Sequence, residues 1–426
     1  MSRAIALVDV NNCFAASERV FQPHLATTPL VVLSSNDAVA IARSAEAKAL
    51  GVKMAASLHE FVHLVKSHGL VLRSANFSLY TNLSERTRTV FEQFTDGVFP
   101  YSIDECFLDI TGLGPDGAEA YAREIQHAVL KQVGLPVGIG VATTKTAAKA
   151  ANWGAKSYAG TKGVVDLYTD PTRLQRLLDV MPVQEVWGVG KATARKLDAE
   201  GIATAGELAK LELSDIKSRY GVVLARTVNE LQGVEILPWE QDYQVSQQII
   251  ASRSLGTNTD DKATLLASII HHVERAARKL REQDAVARHI TVSLHTSSFG
   301  NPGQPYSPSK STGLPQTTSD SSLLAHAARS LFESMYKPGY RYTKTGIIIS
   351  QIIPSDQVQE DLFSMAEDTI QKSQALMGAI DNLNNRYGLG TISLASKEQG
   401  DDWKPKSEWC SDNYTGNWSQ LPVVKA

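Results

Sequence analysis

The chain has 426 residues, 43% apolar and 20% charged, with 42 Lys and Arg against 45 Asp and Glu for a formal charge of −3. This is the make-up of an ordinary globular protein with room for about two to four domains. Three scattered cysteines, Cys13, Cys106 and Cys410, exclude a disulfide framework or a CxxC zinc site, and the absence of an apolar run of roughly 18 residues or of a signal peptide leads us to expect a cytoplasmic protein without a membrane span.

The chain opens on Ala4-Ile5-Ala6-Leu7-Val8, a buried-strand signature that ends in Asp9. Phe14 follows about one helical turn later, and an aromatic there is ordinarily core. Residues 12–75 read as a small inserted lobe: a strand over 30–33, a helix over 41–50, a second helical stretch near 58–66 and a strand over 70–72. Arg43 and Lys48 then fall close to one side of a helix, with Lys53 just beyond. Spacing alone makes that a solvated basic face.

Residues 76–168 read as helix, hairpin, helix, strand and helix, ending in a short run at 163–166. The hairpin is Tyr101-Ser102-Ile103-Asp104-Glu105-Cys106-Phe107-Leu108-Asp109-Ile110, with Ser102 to Glu105 as its turn. Neighbouring side chains on a regular strand point to opposite faces, whereas at a turn both carboxylates can reach one volume. An isolated Asp-Glu pair is ordinary in a solvated turn, but a third carboxylate changes the case. If the opening strand lies beside the hairpin, Asp9, Asp104 and Glu105 form an all-oxygen cluster that repels itself unless cations occupy it. Hard oxygen ligands select Mg²⁺, or Mn²⁺ as a substitute, and two such ions about 3.5–4 Å apart are the clamp used for nucleotidyl transfer. Lys145, Lys149 and Lys156 follow the 137–142 strand on a helical pattern.

After Asp170-Pro171 a helical region runs to about residue 233, carrying Trp187-Gly188-Val189-Gly190-Lys191. Glycines at a helix start let backbone N–H groups face a phosphate, although tight turns between helices use glycine routinely. Residues 234–246 read as a linker. A β-α-β pattern then begins, with strands over 248–253 and 289–296, helices over 263–283 and 321–336, and a last strand over 344–353. The Ser/Pro/Gly-rich stretch 297–319 holds a poorly marked strand and a loop. Residues 247–352 carry 12 basic and 7 acidic side chains, and residues 353–426 carry 6 and 11, so a basic module and an acidic tail nearly cancel. A net-neutral protein can still present one basic face.

Taken together, Val8-Asp9-Val10-Asn11-Asn12-Cys13-Phe14-Ala15-Ala16, Ile41-Ala42-Arg43-Ser44-Ala45-Glu46-Ala47-Lys48, Tyr101-Ser102-Ile103-Asp104-Glu105, Gly138-Ile139-Gly140-Val141-Ala142-Thr143-Thr144-Lys145-Thr146 and Val186-Trp187-Gly188-Val189-Gly190 resemble the Y-family (translesion) DNA polymerases of the UmuC type, the catalytic subunit of bacterial DNA polymerase V. The matches keep the family's order over almost the whole chain, and only the last seventy or so residues match loosely.

The resemblance implies an α+β multidomain right-hand polymerase: palm 1–11 and 76–168, small fingers 12–75, helical thumb 169–233 with a helix-hairpin-helix, linker 234–246, βαββαβ little finger 247–353 and a C-terminal tail 354–426. It implies error-prone, template-directed translesion synthesis in the SOS response to DNA damage, using two Mg²⁺ ions on Asp9, Asp104, Glu105 and the Val10 backbone carbonyl. Phe14 would be the steric gate under the incoming sugar, since an apolar pocket alone rejects an added hydroxyl only about 100-fold. Most UmuC-type chains carry Tyr at that position. Lys48 and Lys156, with Arg43, would meet the triphosphate of the dNTP. Gly188, Gly190, Lys191, Arg253, Lys310, Arg341 and Lys344 would hold primer–template DNA. Gln359-Glu360-Asp361-Leu362-Phe363 resembles the sliding-clamp pentapeptide, with Gln359, Leu362 and Phe363 as anchors and Glu360 an unusual second residue. A UmuD′-type accessory dimer and RecA are the implied partners, and nucleoid association is implied during synthesis. Ala38 and Ala55 stand where the pattern has glycine, which puts the roof over the templating base in doubt. A stand-alone DinB-type polymerase, or a catalytically silent DNA- and clamp-binding subunit, are the alternative readings. Intact carboxylates speak against the second. Lesion preference is not readable.

Overall fold

The computed structural model describes residues 3–112, 117–239, 245–297, 305–358, 367–395 and 403–423. Its contacts divide the chain into two units, one of residues 1–241 with 407–426 and one of residues 242–406.

In the first unit β1 (Ile5–Val10) is buried at every position, which a strand achieves only with partners on both edges and helices on both faces. It pairs antiparallel with β6 (Glu105–Asp109) and with β7 (Val137–Ala142), inside the sheet order β5-β6-β1-β7-β8, where β5 is Val98–Pro100 and β8 is Val164–Asp166. Side-chain alternation sorts the faces. Ala6, Val8 and Val10 join a core with Leu79, Tyr80 and Leu83 of α5 (Phe77–Phe91) and Ile125 and Val129 of α6 (Ala118–Gln132). Ile5, Leu7 and Phe107 instead pack on Ala147, Ala148 and Ala151 of α7 (Lys145–Ser157). α7 lies so close to the sheet that a Cβ on Gly140 would stand 2.2 Å from the Asn152 nitrogen and 2.5 Å from the Ala148 carbonyl oxygen. Glycine is therefore required there, and Asn152 fastens the same approach by donating to the Gly138 carbonyl at 2.8 Å.

The segment after β1 forms α1 (Cys13–Val20) and a three-stranded sheet, order β3-β2-β4, of β2 (Leu30–Leu33), β3 (Ala40–Arg43) and β4 (Val71–Ser74). Helices α2 (Ala45–Ala49), α3 (Leu58–Phe61) and α4 (His63–His68) accompany it. The helix expected over 41–50 is thus a strand followed by a short helix. Ser44 is extended and caps Ala47 N–H, ending one element and starting the next, so Arg43 and Lys48 do not share a helix. Beyond β8 come α8 (Pro171–Val180), α9 (Lys191–Ala199), α10 (Ala205–Ala209), α11 (Leu213–Tyr220) and α12 (Val222–Leu231), closed around a core that includes Leu197, Leu208 and Val228. Residues 407–423 return to this unit.

The second unit is a four-stranded antiparallel sheet, order β11-β10-β12-β9, of β9 (Gln248–Thr259), β10 (Ala285–Thr296), β11 (Ser309–Thr318) and β12 (Tyr342–Pro354). α13 (Lys262–Arg281) and α14 (Ser321–Met335) cover one face of it. The weakly marked strand is β11, at the sheet edge and largely exposed, where polar residues cost nothing in packing. α15 (Glu367–Tyr387) joins the same unit through Asp381, which pairs with Arg281 at 2.6 Å. Among the described residues no helix is long and apolar enough to cross a membrane, and the three cysteines are unpaired.

Candidate active site

The opening strand does lie beside the hairpin, and Asp9 is the register partner of Glu105. Since Leu7 and Phe107 face α7, the same alternation puts Asp9 and Glu105 on that side. Lys156 meets Asp9 at 2.6 Å, and Lys149 reaches both Glu105 oxygens at 2.9 Å. The sequence reading placed Lys156 at a triphosphate and left Lys149 as one lysine in a helical pattern. Its signal was there: residues 145, 149 and 156 are one and two turns apart and so occupy one face of α7. Tyr101 and Trp187 lie under the Lys149 ammonium at 4.5 and 5.1 Å.

Asp104 behaves differently. It sits in the turn, accepts from the Ser102 hydroxyl at 2.6 Å, and lines a cleft with Glu105 and with Ser84, Glu85 and Arg88 of α5. Asp9 and Glu105 are thus paired across the strands, and Asp104 stands in the adjoining turn. Among the described residues no group of three His, Cys, Asp or Glu is gathered as around an ion. The acids nevertheless feel one another. Burial pushes the Asp9 carboxyl up to about 6, Lys156 pulls it down, and Glu105 and Asp104 push it up again. Asp9 and Glu105 are each held by a cation of the protein itself, and the donors are all hard oxygens. The set therefore fits a divalent ion that takes the place of the lysines. Val10, whose carbonyl was expected to assist, pairs its N–H with the Asp104 carbonyl at 2.9 Å.

Lys48, Lys156 and Lys162 line a second cleft with Asn11, Asn12 and Gly163. Lys48 donates to the Asn12 side chain at 2.6 Å, and its pKa is lowered by burial first and then by Arg43 and Lys156. Lys48 therefore stands near two other cations named from the sequence, sharing the cleft with Lys156 and feeling Arg43. Arg43, from the end of β3, also donates to the Val52 carbonyl at 2.8 Å. Phe14 stacks on Tyr80, centroids 4.5 Å apart and planes 13° apart, and meets Phe77 edge-on. Tyr80 donates to the fully buried Glu18 at 2.6 Å. Neither Tyr80 nor Glu18 carried a motif that could have flagged it.

Gly188 has φ +87°, a conformation that asks for glycine, and Gly190 is the N-cap of α9, which begins at Lys191. In the second unit the four basic residues do not share a face. Arg253 stands opposite Thr345, whose hydroxyl meets Ser268 and His272 of α13, and Lys310 donates to Ser334 of α14, so both belong to the helix-covered face. Lys344, one position from Thr345, is on the open face, and Arg341 lies just before β12. Gln359, Leu362 and Phe363 lie outside the described residues.

Residues 8–152 match the impB/mucB/samB family and residues 246–362 its C-terminal domain, and residues 374–424 match a domain of unknown function. The chain is 38% identical to protein UmuC of Salmonella typhimurium over 424 residues, covering 99% of this chain and 100% of that one. It is 36% identical to ImpB of Salmonella typhimurium, covering 99% of each, and 33% identical to MucB of Escherichia coli, covering 98% and 99%. The chain belongs to the impB/mucB/samB family. Among solved structures, this family member resembles a Y-family DNA polymerase chimera with a TM-score of 0.64 at 22% identity, covering 82% of this chain and 99% of the other. DinB from Sulfolobus solfataricus follows at 0.51 and 22%, covering 82% and 98%. The α+β polymerase fold expected from the sequence is the one the chain has, and it is a UmuC-type Y-family translesion DNA polymerase.

Proposed function

We propose that this polymerase performs error-prone, template-directed synthesis past damaged bases by two-metal-ion nucleotidyl transfer, as part of the SOS response. The observation that carries the reading is Asp9 facing Glu105 across paired strands, with Lys156 on the first and Lys149 on the second. Asp9 and Asp104 would hold two Mg²⁺ ions with the Val10 carbonyl, and Glu105 would complete the site beside the primer terminus. Bound there, the ions supply charge neutralisation and activate the attacking hydroxyl. The protein's own part is positioning. Lys48, Lys156 and Arg43 bind the triphosphate; as it arrives, Lys156 exchanges Asp9 for phosphate oxygens, leaving the carboxylate free. Phe14, backed by Tyr80, bears on the sugar.

The five-stranded sheet serves as palm, residues 12–75 as fingers, the α8–α12 region as thumb, and the second unit as little finger. Gly188, Gly190 and Lys191 would offer backbone N–H groups and a cation to a DNA phosphate, and Lys344 and Arg341 the open face of the little-finger sheet. A UmuD′-type accessory dimer, RecA and the sliding clamp are the proposed protein partners. Purified chain given primer–template, dNTP and Mg²⁺ should extend the primer, and Asp104→Ala should not; equal extension by both would end the reading. Extension past an abasic site that needs the accessory dimer and RecA filament separates the UmuC-type reading from a stand-alone polymerase.

A further inference from the structure

The last part of the chain matches, among family models, a domain of unknown function, yet residues 407–414 are built into the fingers region. The Ser407 hydroxyl donates to the Ser35 carbonyl at 3.1 Å, and Glu408 N–H donates to Asp37 at 2.7 Å. Trp409 N–H donates to the Ser74 hydroxyl at 2.9 Å, while Ser74 N–H donates to the Trp409 carbonyl at 3.1 Å. Ser74 ends the edge strand β4, and its parallel bridge to Cys410 continues that edge. The Trp409 ring packs on the core of the same small sheet.

Two further contacts reach the helices that carry the gate. Asn76, the N-cap of α5, donates to the Ser411 hydroxyl at 3.0 Å. Tyr414 stacks on Phe21, which ends α1, with centroids 4.9 Å and planes 14° apart. Phe14 and Glu18 are on α1, and Tyr80 is on α5. The ring stack Phe14–Tyr80 and the hydrogen bond Tyr80–Glu18 tie these two helices together. The second Glu18 oxygen, Oε2, is buried with no hydrogen bond of ordinary geometry, and Ser411 is the polar neighbour that offsets part of the cost of burying it. The tail thus holds the end of one gate helix, the start of the other, and the polar pair between them.

We propose that residues 407–414 are a positioning element of the nucleotide gate, so that sugar selection by this polymerase depends on its C-terminal segment. The proposal rests on the reading of Phe14 as the gate. Tyr414 and Ser411 are positioning residues: Tyr414 meets Phe21 at the end of α1 and Ser411 meets Asn76 at the start of α5, and they act through those helices.

The test is single-nucleotide insertion by the full chain, with kcat/KM measured for matched deoxy- and ribonucleotides. Phe14→Ala should lower the deoxy-to-ribo ratio. Tyr414→Ala and Ser411→Ala should lower it by about threefold or more with kcat for the deoxynucleotide little altered, and Tyr414→Phe, which keeps the ring, should restore it. Tail variants with the wild-type ratio beside a collapsed ratio in Phe14→Ala overturn the proposal and leave the gate intact. An unaltered ratio in Phe14→Ala overturns the gate reading itself and the sugar-selection claim with it. Amide hydrogen exchange gives a second readout that does not depend on the gate. It should quicken in α1 and the first turn of α5 in Tyr414→Ala, and unchanged exchange there also overturns the proposal.

Discussion

Glu230 on α12 locks the start of the helix that carries Lys149 and Lys156 through polar contacts. It is fully buried and accepts four hydrogen bonds: from Thr146 N–H and the Thr146 hydroxyl, each at 2.9 Å, from Leu237 N–H at 2.9 Å and from Ile236 N–H at 3.2 Å. Thr144, the N-cap of α7, returns a bond to the Glu230 carbonyl at 2.8 Å. A hydrogen bond to a charged group contributes about 1.5–3 kcal/mol, but four on one carboxylate do not add. In Glu230→Ala the two Thr146 donors are stranded, since Thr146 is 1% exposed, whereas 41%-exposed Ile236 can turn to water. We expect a loss of about 3–4 kcal/mol for Glu230→Ala and about 2 kcal/mol for Glu230→Gln, which keeps the size and one acceptor. Urea unfolding measures the loss, and amide exchange localises it to the first turns of α7. A loss under about 1 kcal/mol, or exchange quickened evenly across the unit, would refute the reasoning.

Phe14→Ala should admit ribonucleotides in primer extension, with discrimination falling toward the roughly 100-fold that an apolar pocket achieves by itself; unchanged sugar selectivity counts against the assignment. Burial raises the Glu18 carboxyl against the pull of Tyr80, Ser411 and Arg73. Its contribution to stability is therefore present below its unfolded pKa and lost as pH rises through the folded one. Glu18→Gln should accordingly melt above the wild type at pH 8, with the gap closing as pH falls toward the ordinary carboxylate range of about 4.3; a gap independent of pH would be the wrong answer. Gly188→Ala places a Cβ on a backbone of φ +87° and 3.3 Å from the Thr227 hydroxyl. It should cost about 1–2 kcal/mol and weaken primer–template binding, read by melting and by anisotropy titration.

How much could be read in advance depended on where each residue's partners lie. β7 and α14 were legible because apolar period and length agree, and Asp9 because it follows a buried apolar run, whereas Glu105, read as the last residue of the turn, is the first residue of β6. Arg43 was misplaced because an Ala-rich stretch reads as helix, and the Ser44 cap that divides it looks like any serine. Lys149 was passed over because a lysine gains meaning only from the carboxylate that tertiary packing sets before it. The divided faces of Arg253 and Lys344 follow from strand register, which hydrophobic patterning set only to within a residue or two. Residues 407–414 were opaque for a plainer reason: Ser411 meets Asn76 across 335 positions, and no local pattern encodes such a contact.

Joint binding of divalent ions by Asp9, Asp104 and Glu105, displacing Lys156 from Asp9 and Lys149 from Glu105, is the proposal on which the rest depends. It is tested most directly by titrating Mn²⁺ into the full chain bound to a dideoxy-terminated primer–template and a matched dNTP, counting bound ions by electron paramagnetic resonance. The wild type should hold about two ions, and Asp9→Asn and Asp104→Asn should each lose at least one. No ion held at micromolar Mn²⁺, or the same number held after both carboxylates are neutralised, would contradict it.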